Sequence, residues 1–121
     1  MKSSIPALLL VLLAGCVRHG AEQLLLEQFF NASRLRDRTA LQKIATVILE
    51  PVEQGAVTAF TIDDVVDLEA PDGVVRSKQV RVSAALRLAD GRAADKTLNL
   101  ILQRGDSQAA AAWIVTGLVV Q

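Results

Sequence analysis

The sequence predicts an α+β domain in which two N-terminal helices pack on a four-stranded antiparallel sheet. Three observations support this prediction. Apolar residues recur at helical spacing over residues 21–50, they alternate with a period of two beyond Gly55, and Gly, Pro and Asp residues separate the alternating segments. A helix and a sheet that each carry an apolar face bury those faces against each other, which gives two layers.

The first helix is predicted over residues 21–33, where polar residues such as Glu22 and Glu27 interrupt an apolar face. That face consists of Leu24, Leu25, Leu26, Phe29, Phe30 and Ala32.

The second helix can begin at Asp37 or at Thr39, since the segment from Thr39 to Gln42 has the spacing of a capping box. Its buried stripe is predicted to consist of Leu41, Ile44, Ala45 and Ile48. Pro51 is expected to end it, and Gly55 to close the following loop.

Four strands are predicted near residues 57–68, 79–88, 98–102 and 111–120. In the second, one face is expected to be core and the other polar. The core positions are Val80, Val82, Ala84, Leu86 and Leu88, and the polar ones are Gln79, Arg81, Ser83 and Arg87. The expected turns are Pro71-Asp72-Gly73, a tight type I′ turn at Asp90-Gly91, and residues 105–108.

An export signal is predicted at the N-terminus, where Lys2 precedes an apolar run over residues 5–13. The run is about half of the roughly 20 residues that a membrane-spanning helix needs. We therefore expect a cleaved leader rather than a permanent span.

The segment Leu13-Ala14-Gly15-Cys16 resembles the lipobox of bacterial lipoproteins. The resemblance implies cleavage between Gly15 and Cys16, a diacylglyceryl group on the Cys16 thiol, and acylation of the new amino group. Residues 1–15 are then the signal peptide, residues 16–20 the lipidated N-terminus and linker, and residues 21–121 the domain. Since Val17 is not an aspartate, the resemblance favours the outer membrane, with the domain facing the periplasm.

The domain resembles the nuclear transport factor 2-like, or SnoaL-like, superfamily, whose cone-shaped fold wraps a curved antiparallel sheet around an N-terminal helix. The resemblance lies in Gln28-Phe29-Phe30-Asn31, in Leu35-Arg36-Asp37-Arg38-Thr39-Ala40-Leu41 and in Trp113-Ile114-Val115-Thr116-Gly117-Leu118. Cystatin-like and other helix-on-sheet folds share much of this pattern.

Composition excludes several classes of function. The 121 residues include 13 basic and 13 acidic side chains without a basic block, which argues against a nucleic-acid partner. One cysteine and one histidine cannot supply the usual zinc ligands or an internal disulfide. Loss of Lys2 on cleavage leaves 12 basic and 13 acidic side chains, so acyl chains rather than a polybasic patch would hold the protein to the bilayer.

Two groups of charged residues are candidate sites. The first group, which could bind a hard cation, consists of Asp63, Asp64, Asp67 and Glu69. Asp63, Asp67 and Glu69 are an even number of residues apart, so a regular strand would place them on one face. The favoured interpretation is a solvated strand edge that resists aggregation. Arg34, Arg36 and Arg38 could contact lipid headgroups or an acidic partner, but a favourable position near a helix C-terminus accounts for them.

Other residues receive ordinary interpretations. His19 is expected in the linker; Arg81 and Arg87 face solvent or a homodimer interface. Arg104-Gly105-Asp106-Ser107 is a coincidental match to an integrin-binding tetrapeptide, and Asn31-Ala32-Ser33 a glycosylation match within a helix. Trp113, Phe29, Phe30 and Phe60 are expected in the core.

The predicted function is that of a membrane-anchored envelope lipoprotein whose domain binds an unidentified small molecule or a protein without catalysing a reaction. No catalytic, cofactor-binding or metal-binding residue is predicted. One alternative is a small SnoaL-like enzyme that acts on an apolar substrate with a carboxylate such as Asp64 inside the cone. Another is an accessory subunit of an envelope complex.

Overall fold

The structure is a computed structural model that describes residues 19–73, 75–104 and 112–121. The predicted signal peptide, the lipobox with Cys16, and the predicted turn at residues 105–108 lie outside the described residues. Of the tetrapeptide that begins at Arg104, only Arg104 is described. Within the three described ranges, no helix combines the length and the apolar character that crossing a membrane requires.

Helix α1 spans Gly20–Leu35, slightly longer at both ends than predicted. It ends at Arg36, whose backbone is left-handed (φ 52°) and whose N–H group donates to carbonyl oxygens of the last turn. Leu26, Phe29 and Phe30 on its inner face are buried, whereas Leu24, which was predicted to share that face, is 56% exposed.

Helix α2 spans Arg38–Ile44, and Asp37 is its N-cap. The Asp37 carboxylate accepts a hydrogen bond from the Ala40 backbone N–H at 3.1 Å. This cap satisfies a first-turn N–H that has no helical partner. The predicted start at Asp37 is thus confirmed, and the capping box at Thr39 is wrong because Thr39 already lies inside the helix.

The prediction that α2 continues to Pro51 is wrong, because the helix ends at Ile44. Ala45 is extended (φ −157°, ψ 157°) and forms a parallel bridge with Val115. The Thr46 N–H donates to the Val115 carbonyl oxygen at 2.9 Å. Hydrogen bonds to a distant strand therefore replace those that the helix would have made.

The extended segment after α2 changes which residue enters the core. Leu49 is 1% exposed, whereas Ile48, which was predicted to be buried, is 37% exposed. Pro51 then begins the one-turn helix α3 (Pro51–Gln54), and Gly55 follows it as the C-cap. Proline suits a first helical turn because the missing N–H has no helical partner there.

The sheet is an antiparallel meander in the order β1-β2-β3-β4, as predicted. Its strands are β1 (Ala56–Glu69), β2 (Val75–Arg87), β3 (Ala93–Gln103) and β4 (Ile114–Val120). Strands β2 and β3 begin earlier than predicted, and residue 111, the predicted start of β4, lies outside the described residues.

One sheet face packs against α1 and forms the core. The predicted alternation in β2 is confirmed, with Val80, Val82, Ala84 and Leu86 buried and the intervening polar side chains exposed. Phe30 of α1 contacts Phe60 of β1 edge-on, with the ring centroids 5.0 Å apart. The buried core consists of Leu26, Phe29, Phe30, Ala32, Leu41, Ala45, Leu49, Val57, Val80, Val82, Ala84, Leu86, Leu98, Leu100, Leu102 and Val115.

The turn between β2 and β3 differs from the prediction. A type I′ turn needs positive φ at both central residues, but Gly91 has φ 90° whereas Asp90 is not among the residues with positive φ. The Leu88 N–H donates to the Arg92 carbonyl oxygen at 2.8 Å, so the loop contains three residues rather than two. The first turn agrees with its prediction, because the Gly73 N–H donates to the Ala70 carbonyl oxygen.

Candidate functional site at the start of the first helix

The acidic group on β1 does not form a common face, because the strand contains bulges. Ile62 pairs with Val82 and Asp64 with Arg81, which leaves Asp63 as an extra residue. Asp63 accepts a hydrogen bond from the Ser83 hydroxyl on the outer sheet face at 2.5 Å. Asp67 pairs with Lys78, which is on the core face of β2. Asp67 is therefore on the face opposite to that of Asp63.

The predicted shared face of Asp63, Asp67 and Glu69 is therefore wrong. In the described parts of the chain, no three His, Cys, Asp or Glu residues are grouped so that they could hold a metal ion.

Asp64 lies on the outer face of the sheet, opposite Arg81. The alternative that places this carboxylate inside a cone is wrong, since the bulge at Asp63 turns Asp64 away from α1. Between α1 and the sheet the structure places apolar side chains, among them the fully buried Phe29 and Leu100.

The predicted arginine cluster is divided among separate contacts. Arg34 donates to the Asn31 side-chain oxygen at 2.7 Å, and Arg36 pairs with Glu50, while Arg38 is exposed. Arg81 and Arg87 are on the exposed outer face, where Arg87 donates to the Gly91 carbonyl oxygen. These contacts account for Arg34, Arg36 and Arg87 without a ligand.

The glycosylation match at Asn31-Ala32-Ser33 lies within α1, and Ser33 is 1% exposed. Its hydroxyl oxygen accepts a hydrogen bond from the Leu49 N–H at 3.2 Å. Ser33 therefore has a structural role, since it satisfies a buried backbone donor in the extended segment after α2.

A nearly buried ion pair lies beside a tryptophan and a second cation where α1 begins. We call this group the Lys78 cluster, and it consists of Glu22 in the first turn of α1, Lys78 on β2, Arg104 after β3 and Trp113 before β4. Lys78 is on the core face, two residues before Val80, yet its Nζ donates to Glu22 Oε1 at 2.7 Å. The Lys78 and Glu22 side chains are only 11% and 13% exposed.

Trp113 links the two cations of the cluster. Lys78 Nζ lies 4.1 Å from the centre of the indole ring, and the Arg104 guanidinium carbon lies 5.2 Å from it. Both distances are within the range of a cation–π interaction. Trp113 is half-buried at the margin of the core, where Phe60 also lies, whereas Phe29 and Phe30 are buried as predicted.

The ion pair changes the protonation of Glu22. Burial by itself raises the pKa of this carboxyl, because it disfavours the charged form. The hydrogen bond from Lys78, a backbone hydrogen bond, and the charges of Lys78 and His19 outweigh burial and hold the pKa below its ordinary value. Glu22 is therefore ionised at neutral pH and neutralises the ammonium beside Trp113.

A cavity of about 160 Å³ lies within the cluster. It is lined by Ala21, Glu22, Leu25, Lys78, Leu102 and Trp113. Pockets for organic ligands usually measure about 300–1,000 Å³, so this cavity is too small to enclose one. The cluster is better suited to contact at its exposed margin.

Three larger depressions, of about 450, 430 and 400 Å³, lie elsewhere. The first crosses the outer sheet face and is lined largely by short side chains such as Ala59, Ser83 and Thr97. The second borders α2 and the segment after it, and the third lies between α1 and β1. Each of these three depressions is an open surface of the described residues rather than an enclosed chamber.

Sequence reasoning missed Lys78 and Glu22 as a pair. One signal was present, because Lys78 has the same parity as Val80 and Val82 and so falls on the core face of the strand. A lysine at such a position needs a nearby anion or a path to solvent. The identity of that anion, 56 residues away in the chain, could not be read from the pattern.

Comparison of the chain with protein-family models, with curated proteins and with solved structures found no match. None of the residues described above therefore inherits a role from a known relative.

Proposed function

We propose that the protein is a lipoprotein of the bacterial envelope, anchored through acylated Cys16, whose nuclear transport factor 2-like domain binds a ligand or protein without catalysing a reaction. The observation that carries the proposal is the lipobox at Leu13-Ala14-Gly15-Cys16, in register with a basic residue and an apolar run. Two or three acyl chains on one residue make a durable membrane anchor, whereas a single chain binds only marginally.

The short distance between the lipobox and the fold supports this proposal. Helix α1 begins at Gly20, four residues after Cys16. Four residues span at most about 14 Å when fully extended. A domain on so short a tether stays at the membrane surface, which is the arrangement expected of an anchored binding domain rather than of one that reaches across the periplasm.

The architecture of the domain supports the second half of the proposal. A helix packed on a four-stranded antiparallel meander is compatible with the cone-like fold. Apolar side chains pack between α1 and the sheet, and the cavity of about 160 Å³ at the start of α1 is too small for an organic ligand. This packing favours binding at the surface over chemistry in an interior chamber. The outer sheet face, where Arg81 is opposite Asp64 and where Arg87 is exposed further along β2, is the surface we propose for a protein partner, including a second copy of the chain.

Substitution of the lipobox cysteine tests the anchor. In the native host, Cys16→Ser protein should disappear from the membrane fraction, and mass spectrometry of wild-type protein should find Cys16 as an acylated N-terminus. Val17→Ser, one residue beyond Cys16, is the matched control and should remain with the membranes. A bare thiol in wild-type protein, or acylated and membrane-bound Cys16→Ser protein, would contradict the proposal.

A second experiment tests whether the domain acts through a partner. Wild-type protein would be recovered from detergent-solubilised membranes and compared with Arg81→Glu protein, in which the outer face loses a central positive charge. Co-purification that depends on Arg81 supports binding through the outer face. Co-purification that is equal in both proteins places the partner elsewhere on the domain.

A further inference from the structure

We propose that the end of the domain at which α1 begins docks directly on the bilayer, with Trp113 and Arg104 at the level of the lipid headgroups. We call this surface the anchor-proximal end and define it by Ala21, Leu24, Arg104 and Trp113. The inference rests on the proposed acylation of Cys16 and adds a fixed orientation of the domain on the membrane.

The length of chain between the anchor and the fold is the first argument. Ala21 follows Cys16 by five residues, a contour of at most about 18 Å. Ala21 and Trp113 line the same small cavity, so the indole lies beside the residue at which the tether enters the fold. The acyl chains at Cys16 therefore hold Trp113 near the lipid surface.

The chemistry of the exposed groups is the second argument. Tryptophan is enriched at membrane interfaces because its ring is apolar and its N–H is polar. Arg104 is exposed and lies 5.2 Å from the indole centre, where its guanidinium can pair with lipid phosphates. Leu24, on the first turns of α1, is 56% exposed and can add an apolar contact at the same end.

The ion pair within the Lys78 cluster positions the tryptophan. Lys78 stands 4.1 Å from the ring centre and is itself held by Glu22, so the inner side of the indole is fixed. On the outer sheet face, Asp63 and Asp64 offset the charges of Arg81 and Arg87. At the anchor-proximal end, Arg104 beside the indole offers a positive charge to anionic headgroups.

Trp113 can report its own position, since the chain has one tryptophan and no tyrosine. Lipidated full-length protein would be reconstituted into phosphatidylethanolamine and phosphatidylglycerol vesicles that carry bromine near the headgroup, bromine deep in the acyl chains, or none. Flotation of the vesicles measures anchoring, and loss of Trp113 emission measures docking. We expect the largest loss with shallow bromine, a smaller loss with deep bromine, and none with plain lipid.

Two charge reversals complete the experiment. Arg104→Glu should reduce the loss of emission while the protein still floats with the vesicles. Arg92→Glu, in the loop between β2 and β3 at the opposite end of the sheet, should leave the loss unchanged. If the protein floats but bromine does not reduce its Trp113 emission, the docked orientation is overturned while the anchor stays intact. That result would favour a protein partner at this end. If protein purified from the native host carries no acyl chain and does not float with the vesicles, both the anchor and the docking are overturned. An equal effect of both arginine variants would also refute the proposal.

Discussion

Neutralising Glu22 is the sharpest test of the Lys78 cluster. Glu22→Gln preserves the volume of the side chain and one oxygen that can accept the Lys78 hydrogen bond, so it removes little besides the negative charge. The Lys78 side chain, 11% exposed, then faces Trp113 without the carboxylate that pairs with it in the wild type. We expect the variant to fold and to be less stable than the wild type.

The expected loss follows from the burial of the pair. Removing one partner of a fully buried ion pair costs about 3–5 kcal/mol, whereas an exposed pair contributes roughly 0–1 kcal/mol. With 11% and 13% exposure and one hydrogen bond retained, we expect a loss of about 1.5 kcal/mol. For a domain of this size, that corresponds to a fall in Tm of roughly 6–12 °C.

The effect should depend on pH in one direction. Pairing lowers the pKa of Glu22 in the folded protein below the ordinary value of 4.5, so the unfolded chain takes up this proton at a higher pH. The stabilisation is complete above the unfolded-state pKa and is lost as the pH falls through the folded-state pKa. The difference in Tm between wild type and Glu22→Gln should therefore be greatest near neutral pH and shrink in acid.

Thermal unfolding followed by circular dichroism at several pH values provides the measurement. Glu27→Gln is the matched control, since Glu27 lies on the same helix, is exposed and hydrogen bonds only to Gln23 among the contacts described. It should shift the free energy of unfolding by less than about 0.5 kcal/mol. Equal shifts for the two variants, or a difference that does not diminish in acid, would refute the assigned role of the pair.

Three further predictions test the fold. Leu86→Asp should lower the free energy of unfolding by several kcal/mol, because it buries a carboxylate without a partner. Arg87→Asp, on the exposed face, should change it by about 0.5 kcal/mol. Equal shifts in chemical denaturation would overturn the register of β2. Ser33→Ala should cost about 1–3 kcal/mol by leaving the Leu49 N–H unpaired, and faster hydrogen exchange at that amide would show it. Gly55→Ala should cost more than about 1 kcal/mol in thermal unfolding, because Gly55 has φ 95° and a Cβ atom would lie 3.1 Å from the Arg87 carbonyl oxygen; an unchanged Tm would contradict this backbone assignment.

Much of the sheet could be predicted because its evidence is local. Val80, Val82, Ala84 and Leu86 alternate with polar residues, and alternation alone assigns them to one face of any extended strand. The turn at Pro71 was predictable for the same reason, since the residues that favour it are adjacent. Each of these inferences needs information from only a few neighbouring positions.

The strand that carries the acidic residues shows where local evidence fails. A period of two predicts one face for Asp63 and Asp67, but a bulge adds one residue at Asp63 and moves Asp67 to the opposite face. The bulge becomes visible only when β1 is paired with β2. The same limit applies to α2, whose apolar spacing continues beyond Ile44 although the chain there pairs with Val115.

By itself, the sequence determined the α+β class, the order of the strands and the core faces of β2 and β3, and its lipobox-like segment is the basis for the anchor that we propose at Cys16. Only the tertiary structure decided where α2 ends, which way Asp64 points, and that Lys78 meets Glu22 beside Trp113. The physical reason is the range of the interactions. Periodicity and turn preference act between near neighbours, whereas register, bulges and the partner of a buried charge depend on segments that become adjacent only when the whole chain has folded.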